Sequence, residues 1–171
     1  MKLKEGQRLQ IVVRALILRG DRLLITQWRN GYGFLIGGRV EHGEPLDQAV
    51  LREVQEETGA TGRLGRLVYF AENFWEDRGI AWHEFGWYYL VEVDDEIAAP
   101  DAVVPNPDHP DLVIRWLPLD ELSEDGFYPQ FLSRCLRADY AEGFASAPRH
   151  FVTDQRDGPT RLWEVDDRHC S

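Results

Sequence analysis

Apolar and β-branched residues recur along the chain in short runs, separated by polar or glycine-containing turns. Residues 9–18 are apolar on both faces, which predicts a buried strand, and 22–28 are predicted to pair with it as a hairpin. The predicted strands are 9–18, 22–28, 34–36, 63–74, 82–93, 112–117 and a short edge strand at 161–165.

The longest predicted strands are 63–74 and 82–93, joined by residues 75–81. In the second of these, strict alternation places His83 and Glu84 on opposite faces. Both faces also carry apolar residues, so we expect the sheet to be covered on both sides. Aromatic neighbours on its face predict that His83 is a packed, hydrogen-bonded residue and not a ligand.

Two segments have the period of an α-helix. The first, 45–58, begins at Pro45, which suits the first helical position, and ends at Gly59, which suits a left-handed cap. The second is 127–141, and a helical turn is expected at 118–122. The predicted buried positions of the second helix are Phe131, Cys135, Leu136 and Tyr140. Strands with two interposed helices predict an α/β (α+β) fold with a mixed sheet between helices.

Residues 94–111 form a long acidic loop that contains four prolines, and loops of this length often act as lids over a site. From residue 143 onwards the chain is predicted to be irregular, apart from the strand at 161–165. The sequence contains no internal repeat or linker, so residues 1–171 are interpreted as one domain with an irregular C-terminal extension.

Composition narrows the function classes. Hydrophobic residues make up 43% of the chain and charged residues 29%, as in soluble globular proteins. The formal net charge of −11 argues against nucleic acid as a partner, because phosphate-backbone binding requires a basic surface. An anionic small molecule would need bridging cations.

The cysteines and the termini carry little chemistry. Cys135 is expected to be a packed thiol and Cys170 a thiol in the C-terminal tail. Two cysteines are too few to indicate a disulfide framework or a zinc site. The N-terminus lacks an apolar signal region and no apolar run is long enough to span a membrane. These features predict a cytoplasmic protein with no membrane partner, and a homodimer stays open.

The first helix carries the candidate chemistry. Glu53, Glu56 and Glu57 continue the face that Ala49 and Val50 begin, and residues at this spacing lie about 5–6 Å apart at their Cβ atoms. They also lie at the helix C-terminus, where the macrodipole disfavours negative charge. A bound Mg²⁺ or Mn²⁺ would offset both the repulsion between the clustered carboxylates and their unfavourable interaction with the helix dipole. The alternative is an acidic helix end exposed to solvent.

The residues around this helix resemble the signature of the Nudix hydrolases, G-x5-E-x7-R-E-U-x-E-E-x-G-U, where U is a bulky apolar residue. The matching positions are Gly38, Glu44, Arg52, Glu53, Glu56, Glu57 and Gly59, which are all the charged and glycine positions of the signature. Ala60 is smaller than the usual aliphatic residue, and Ile36 stands where the family often has proline. The signature covers 23 of the 171 residues.

The resemblance implies an α/β/α sandwich with a mixed sheet. It also implies hydrolysis of a diphosphate linkage in a nucleoside diphosphate joined to another moiety, by attack of water at phosphorus with Mg²⁺, for which Mn²⁺ can substitute. Arg52 matches the residue that orients the helix carboxylates, and Glu44 is interpreted as a supporting carboxylate. The metal ligands that the resemblance implies are Glu53, Glu56, Glu57 and the carbonyl oxygen of Gly37.

The general base varies within the Nudix family, and Glu56 and Glu84 are the candidates here. Family members commonly bring a further Glu from a loop near 94–111, whereas this loop offers Asp101, Asp108 and Asp111 instead. We favour Glu84 as the added ligand or base, because a strand holds a side chain more rigidly than a proline-rich loop.

Substrate contacts are predicted at Gly37 and Gly38, where the backbone can approach a ligand closely, and at Arg39 beside them. Arg29 and Arg78 are further candidates for phosphate contact. Rings that could stack on a base are Trp28, Tyr32, Phe34, Phe74, Trp75 and Trp82. Two alternatives to the main prediction stay open: a house-cleaning hydrolase of oxidised nucleoside triphosphates, and a non-catalytic module that senses a nucleotide.

Overall fold

The computed structural model describes residues 3–29, 31–94, 97, 99, 101–146 and 148–165. Within these residues the chain forms eleven strands and two helices. In chain order they are β1 (Gln7–Leu16), β2 (Leu18–Arg19), β3 (Arg22–Trp28), β4 (Gly33–Leu35), α1 (Leu46–Thr58), β5 (Gly62–Asp77), β6 (Ile80–Val93), β7 (Val103–Pro105), β8 (Leu112–Pro118), β9 (Phe127–Tyr128), α2 (Phe131–Ala141), β10 (Arg149–Asp154) and β11 (Arg161–Glu164).

The strands form two sheets. The first has the order β1-β6-β5-β10-β11, in which the β1–β6 and β5–β10 pairs are parallel and the other two pairs are antiparallel. The second has the order β7-β8-β3-β4-β9, and β2 pairs with β3 at its side. Both sheets and two helices belong to one mixed α+β fold, which confirms the predicted fold class.

The two helices cover opposite faces of the strands. Phe131 of α2 packs in one core cluster with Leu23 of β3, whereas Val50 of α1 packs in the other with Leu24, the next residue of the same strand. Because successive strand residues point to opposite faces, α1 and α2 lie on different sides. This is the helix–sheet–helix layering that the sequence predicted.

The predicted hairpin of 9–18 with 22–28 forms only at its closed end. Leu18 of β2 pairs with Leu23 of β3, but β1 runs parallel to β6 in the other sheet. The chain leaves one sheet for the other at Ile17, whose carbonyl still accepts a hydrogen bond from the amide of Leu24. A run that is apolar on both faces does not specify its strand partner, which is why the sequence prediction was wrong here.

The pair β5–β6 is longer than predicted. Asp77 pairs with Ile80, so residues 75–81 continue the ladder and only Arg78 and Gly79 form the turn. Both turn residues have positive φ, +50° and +76°. A two-residue turn of this kind matches the strand twist and lets pairing continue to its end.

Helix α1 confirms the predicted segment to within one residue. Pro45 is the N-cap and not the first helical residue, and Gly59 is the predicted left-handed C-cap at φ 75°. Helix α2 begins at Phe131, so the predicted start at 127 was wrong. Pro129 accounts for this, because the residue before a proline is disfavoured in helical conformation, and residues 127–128 form β9 instead. Of its predicted core residues, Phe131, Cys135 and Leu136 are buried and Tyr140 is partly buried.

The segment after residue 143 is more regular than predicted. The edge strand at 161–165 is confirmed as β11, but β10 was missed, and it lies parallel to β5 in the middle of the first sheet. The strand β7 was also not predicted. The turn expected at 118–122 is present as a single turn, closed by the Glu121 amide on the Pro118 carbonyl. Cys170 lies outside the described residues. No helix in the described part of the chain is long and apolar enough to cross a membrane.

Candidate active site

Arg52 of α1 organises the acidic residues around it. Its Nε and Nη2 donate to the two oxygens of Glu44 at 2.8 and 3.0 Å, and its Nη1 donates to Glu53 at 2.9 Å and to Glu56 at 2.8 Å. Nη2 also donates to the carbonyl oxygen of Arg39 at 3.1 Å. One guanidinium therefore fixes three carboxylates. The orienting role of Arg52 and the supporting role of Glu44 in catalysis stay predictions.

Glu57 is held differently, on the buried side of α1. Its side chain is buried, and it accepts hydrogen bonds from the Gly37 amide at 2.7 Å, the Thr26 hydroxyl at 2.8 Å and the Asn106 amide at 2.9 Å. These donors come from β3, from the loop before α1 and from the loop before β8. They are uncharged, so the buried carboxylate is hydrogen-bonded without direct charge neutralisation.

Burial sets the pKa of the helix carboxylates. Loss of solvent raises the pKa of Glu57 and of Glu53, against the opposing effect of their hydrogen-bond donors. The hydrogen bond from Arg52 lowers the pKa of Glu44. Burial disfavours the charged forms of Glu53 and Glu57, and a cation placed near them would stabilise those forms.

The two glycines before α1 are required by close packing. Gly37 has φ 140°, and a Cβ there would collide with the carbonyl oxygen of Val13. A Cβ on Gly38 would lie 2.5 Å from Oε1 of Glu53. The backbone is therefore pressed against both the neighbouring strand and the carboxylate, as only glycine permits.

The structure brings the predicted metal ligands to one end of α1 but does not direct them at one point. Among the described residues no group of three or more His, Cys, Asp or Glu side chains has a metal-ligating arrangement. Glu53 and Glu56 bind Arg52, while the Gly37 carbonyl accepts from Nη1 of Arg14 at 2.6 Å. The metal site stays a prediction.

The chemistry of the donor set nevertheless fits a hard divalent cation. The cluster offers only oxygen ligands. Three carboxylates, Glu44, Glu53 and Glu56, share one arginine, and Glu57 adds a fourth carboxylate that is bonded only to uncharged donors. Mg²⁺ and Mn²⁺ prefer such oxygen donors and use few of them from the protein. These residues would hold the ion after a shift of the Arg52 contacts.

A cavity of about 780 Å³ opens beside this cluster. Aromatic rings line the cavity together with a polar wall formed by residues of β1, β5, β6 and β10. The aromatic side chains are Trp28, Tyr32, Phe34, Trp75, Tyr88 and Tyr128. The polar wall includes Gln10, Arg14, Asn73, Glu84 and Thr153. The size and lining suit a flat ring with polar substituents.

Two arginines connect the cavity to the acidic cluster. Arg14 lines the cavity and donates to the carbonyl of Gly37, whose amide in turn donates to Glu57. Arg39 also lines the cavity, while its own carbonyl accepts from Arg52. A ligand that fills the cavity therefore has positive charge between it and the carboxylates of α1.

Glu84 points into the cavity, on the face that the alternation predicted. It is 8% exposed, and it accepts hydrogen bonds from Gln10 at 2.6 Å and Asn73 at 2.9 Å. Its role as base or added ligand stays a prediction. Of the alternatives in the loop, Asp101 pairs with Arg22 at 3.4 Å, and Asp108 and Asp111 are exposed.

Some of the other predicted contact residues line the cavity and some do not. Trp28, Tyr32, Phe34, Trp75 and Arg39 line the cavity. Phe74 packs on His83 on the sheet face opposite the cavity, Trp82 stacks on Trp75 at 5.8 Å, and Arg78 lies in the exposed turn of β5–β6. Arg29 donates to the Pro110 carbonyl at 3.4 Å. The His83 ring is hydrogen-bonded to Glu72, as predicted, although it is only partly buried.

Sequence reasoning missed the side chains that support Glu57. Thr26 is a lone hydroxyl in an apolar strand, and Asn106 lies between Pro105 and Pro107, which fix the loop around it. A polar residue in a buried strand and an amide between two prolines are visible signals in the sequence. What they contact becomes visible only when the loop is folded against α1.

A NUDIX domain model matches residues 8–136 of the chain. Over 62 residues the chain is 44% identical to an NAD-capped RNA hydrolase, NudC, from Klebsiella pneumoniae, and the alignment covers 34% of this chain and 23% of that protein. The chain spans about a quarter of the length of the curated relatives it matches.

Solved structures share the fold. A MutT protein from Bacillus halodurans superimposes with a TM-score of 0.62 at 22% identity, covering 90% of this chain and 97% of that one. A UDP-X diphosphatase superimposes with a TM-score of 0.56 at 20% identity, covering 80% of this chain and 64% of that one. At these identities the likeness establishes the architecture alone.

Proposed function

Because the chain belongs to the NUDIX family, we propose that it is a Mg²⁺-dependent hydrolase that cleaves the diphosphate linkage of a small nucleoside diphosphate derivative. One observation carries the proposal: the acidic end of α1 and the aromatic cavity are joined through Arg14 and Arg39. A nucleoside in the cavity places its phosphates beside these arginines and next to the carboxylates. A cytoplasmic location and a homodimer stay predictions.

The residues divide the work by position. Arg52 holds Glu53 and Glu56, and the donors around Glu57 hold that carboxylate on the other side of α1. Bound divalent cations supply charge neutralisation at the phosphoryl oxygens and make the attacking water more acidic. Glu84, in the cavity wall, is the carboxylate that we assign to accept the proton of that water.

A small nucleotide is favoured over a nucleic acid by charge. The net charge of −11 repels an extended phosphate backbone, whereas a single diphosphate needs only the local arginines and cations. The name of the NudC relative refers to NAD-capped RNA. For this chain we propose a free nucleotide with one diphosphate as the substrate class.

The test is a panel of nucleotides incubated with Mg²⁺ and with EDTA, with products separated by chromatography. The panel includes nucleoside diphosphate sugars, dinucleotides joined by a diphosphate, and ordinary and oxidised triphosphates. Release of a nucleoside monophosphate from a diphosphate-linked substrate with Mg²⁺ and not with EDTA supports the proposal. Cleavage of triphosphates alone supports the house-cleaning alternative, and binding without turnover supports a sensing module.

Glu53→Gln and Glu121→Gln are matched variants for this assay. Both remove one negative charge by the same change, but Glu121 is exposed and remote from the cavity lining, whereas Glu53 lies against Arg52 and Gly38. Metal-dependent turnover should be lost in the first variant and kept in the second. Equal metal-dependent turnover by the two variants would show that Glu53 is not part of the active site.

A further inference from the structure

A row of polar side chains crosses the first sheet inside the cavity. Gln10 of β1 pairs with Glu84 of β6, Glu84 with Asn73 of β5, and Asn73 with Thr153 of β10. Directly paired residues on neighbouring strands point to the same face. All four residues line the cavity, so its wall is polar across four adjacent strands.

Two atoms of this row lack a hydrogen-bond partner. Among the residues described, Oδ1 of Asn73 and Oγ1 of Thr153 are buried side-chain atoms without one. The orientation of Asn73 is fixed, because its Nδ2 donates to Glu84 at 2.9 Å, and this leaves Oδ1 as a free acceptor. The Thr153 side chain is 4% exposed, so bulk water does not satisfy its hydroxyl. A ligand that enters the cavity can satisfy both atoms.

The row defines what a ligand must offer. Both oxygens of Glu84 already accept hydrogen bonds, from Gln10 and Asn73. The groups without a partner are Asn73 Oδ1, which only accepts, and the Thr153 hydroxyl, which can accept as well as donate. A complementary ligand group must therefore donate. The rings of Trp28 and Trp75 in the same cavity suit a flat partner. A flat ring that carries hydrogen-bond donors on its edge is a nucleobase with an exocyclic amino group.

We propose that Asn73 and Thr153 form a specificity site that reads the donating edge of an amino-bearing nucleobase. The inference rests on the proposed function in that it identifies the base of the nucleotide substrate. Thr153 comes from β10, which lies beyond residues 8–136 that match the family model. The site therefore depends on a strand that the family match does not include.

Binding of nucleoside 5′-monophosphates, measured by calorimetry without metal, tests the proposal separately from turnover. AMP is compared with purine riboside 5′-monophosphate, GMP with IMP, and CMP with UMP. The first two pairs differ by one amino group on the ring, and UMP has a carbonyl oxygen where CMP has its amino group. At least one amino-bearing member should bind about tenfold or more tightly than its partner, the scale of a site that selects by hydrogen bonding.

The variant Thr153→Val removes the hydroxyl and keeps the branched shape. In the pair with the largest difference in affinity, this variant should reduce the ratio of the two dissociation constants several-fold. The melting temperature should not fall, because the lost hydroxyl has no partner in the free protein. Thr153→Ser should keep the discrimination. Thr61→Val is the matched control, since Thr61 is exposed and lies outside the cavity lining, and it should bind like the wild type.

Equal binding of both members in all three pairs would overturn the proposal, and so would unchanged discrimination in Thr153→Val. The outcome is independent of the proposed activity. Discrimination in binding without metal-dependent hydrolysis would refute the function and leave the specificity site standing. Hydrolysis without discrimination would do the reverse.

Discussion

Arg14 donates a hydrogen bond from Nη1 to the carbonyl oxygen of Gly37 at 2.6 Å. The amide of the same glycine donates to Glu57 at 2.7 Å, so one residue of backbone separates the arginine from the buried carboxylate. Arg14 also lines the cavity. This contact joins the polar wall of the cavity to the acidic end of α1, and it gives the two regions one electrostatic environment.

Removal of the Arg52 guanidinium should destabilise the protein. Arg52→Met leaves Glu44, Glu53 and Glu56 without their shared donor, and we expect a loss of about 1.5–3 kcal/mol in the free energy of unfolding. Urea denaturation measures it. The control is Arg134→Met, whose pair with Glu124 is exposed and should cost about 1 kcal/mol or less. Equal losses in the two variants would contradict the organising role of Arg52.

Glu57 should contribute to divalent metal binding. In Glu57→Gln the buried negative charge is lost while the volume is kept, so calorimetric titration with Mn²⁺ should show a weakened or missing site relative to the wild type. Glu121→Gln, at an exposed position, should bind Mn²⁺ as the wild type does. If Glu57→Gln binds Mn²⁺ unchanged, Glu57 is a structural carboxylate and not a ligand.

The metal-free protein should become relatively more stable as the pH falls from neutrality. Burial raises the folded-state pKa of Glu53 and Glu57 above the ordinary value of 4.5, so the folded state binds protons more tightly than the unfolded state. The stabilisation is present below the unfolded pKa and is lost as the pH rises through the raised pKa. Urea unfolding between about pH 4.5 and 7 compares the wild type with the double variant Glu53→Gln/Glu57→Gln. The wild type should lose stability relative to the variant as the pH rises, and the two free energies of unfolding should approach each other at the low end of the range.

Metal should reverse this trend. Mn²⁺ competes with protons for the same carboxylates, so its affinity for the wild type should fall as the pH falls through that window. Calorimetry at several pH values checks it. An affinity that does not change with pH would show that the titrating residues lie away from the metal.

Glu84 should matter more for turnover than the loop aspartates. Glu84→Gln is expected to lower kcat about 10²-fold or more at saturating substrate, the scale typical of an acid–base group. Asp108→Asn and Asp111→Asn, at exposed positions, should lie near the wild type. Near-wild-type kcat for Glu84→Gln with a large loss in either aspartate variant would assign the role to the loop.

Local patterns in the sequence determined α1 and its chemistry. Pro45 and Gly59 bound the helix as the sequence predicts, and the spacing of Glu53, Glu56 and Glu57 follows from its 3.6-residue period. The signature adds Arg52 on the same turns. These features need no information beyond about twenty neighbouring residues, because caps and helix faces are set by local geometry.

Only the tertiary structure decided which distant residues meet. The alternation in 82–93 predicts that Glu84 leaves the face of His83, but not that Asn73 and Thr153 lie beside it, because a period of two fixes the face and not the neighbouring strand. The same holds for Asn106, which reaches Glu57 across 49 residues of sequence. The grouping of the α1 carboxylates can therefore be predicted from the sequence. Their hydrogen-bond donors and the polar row depend on which strands and loops become neighbours in the fold.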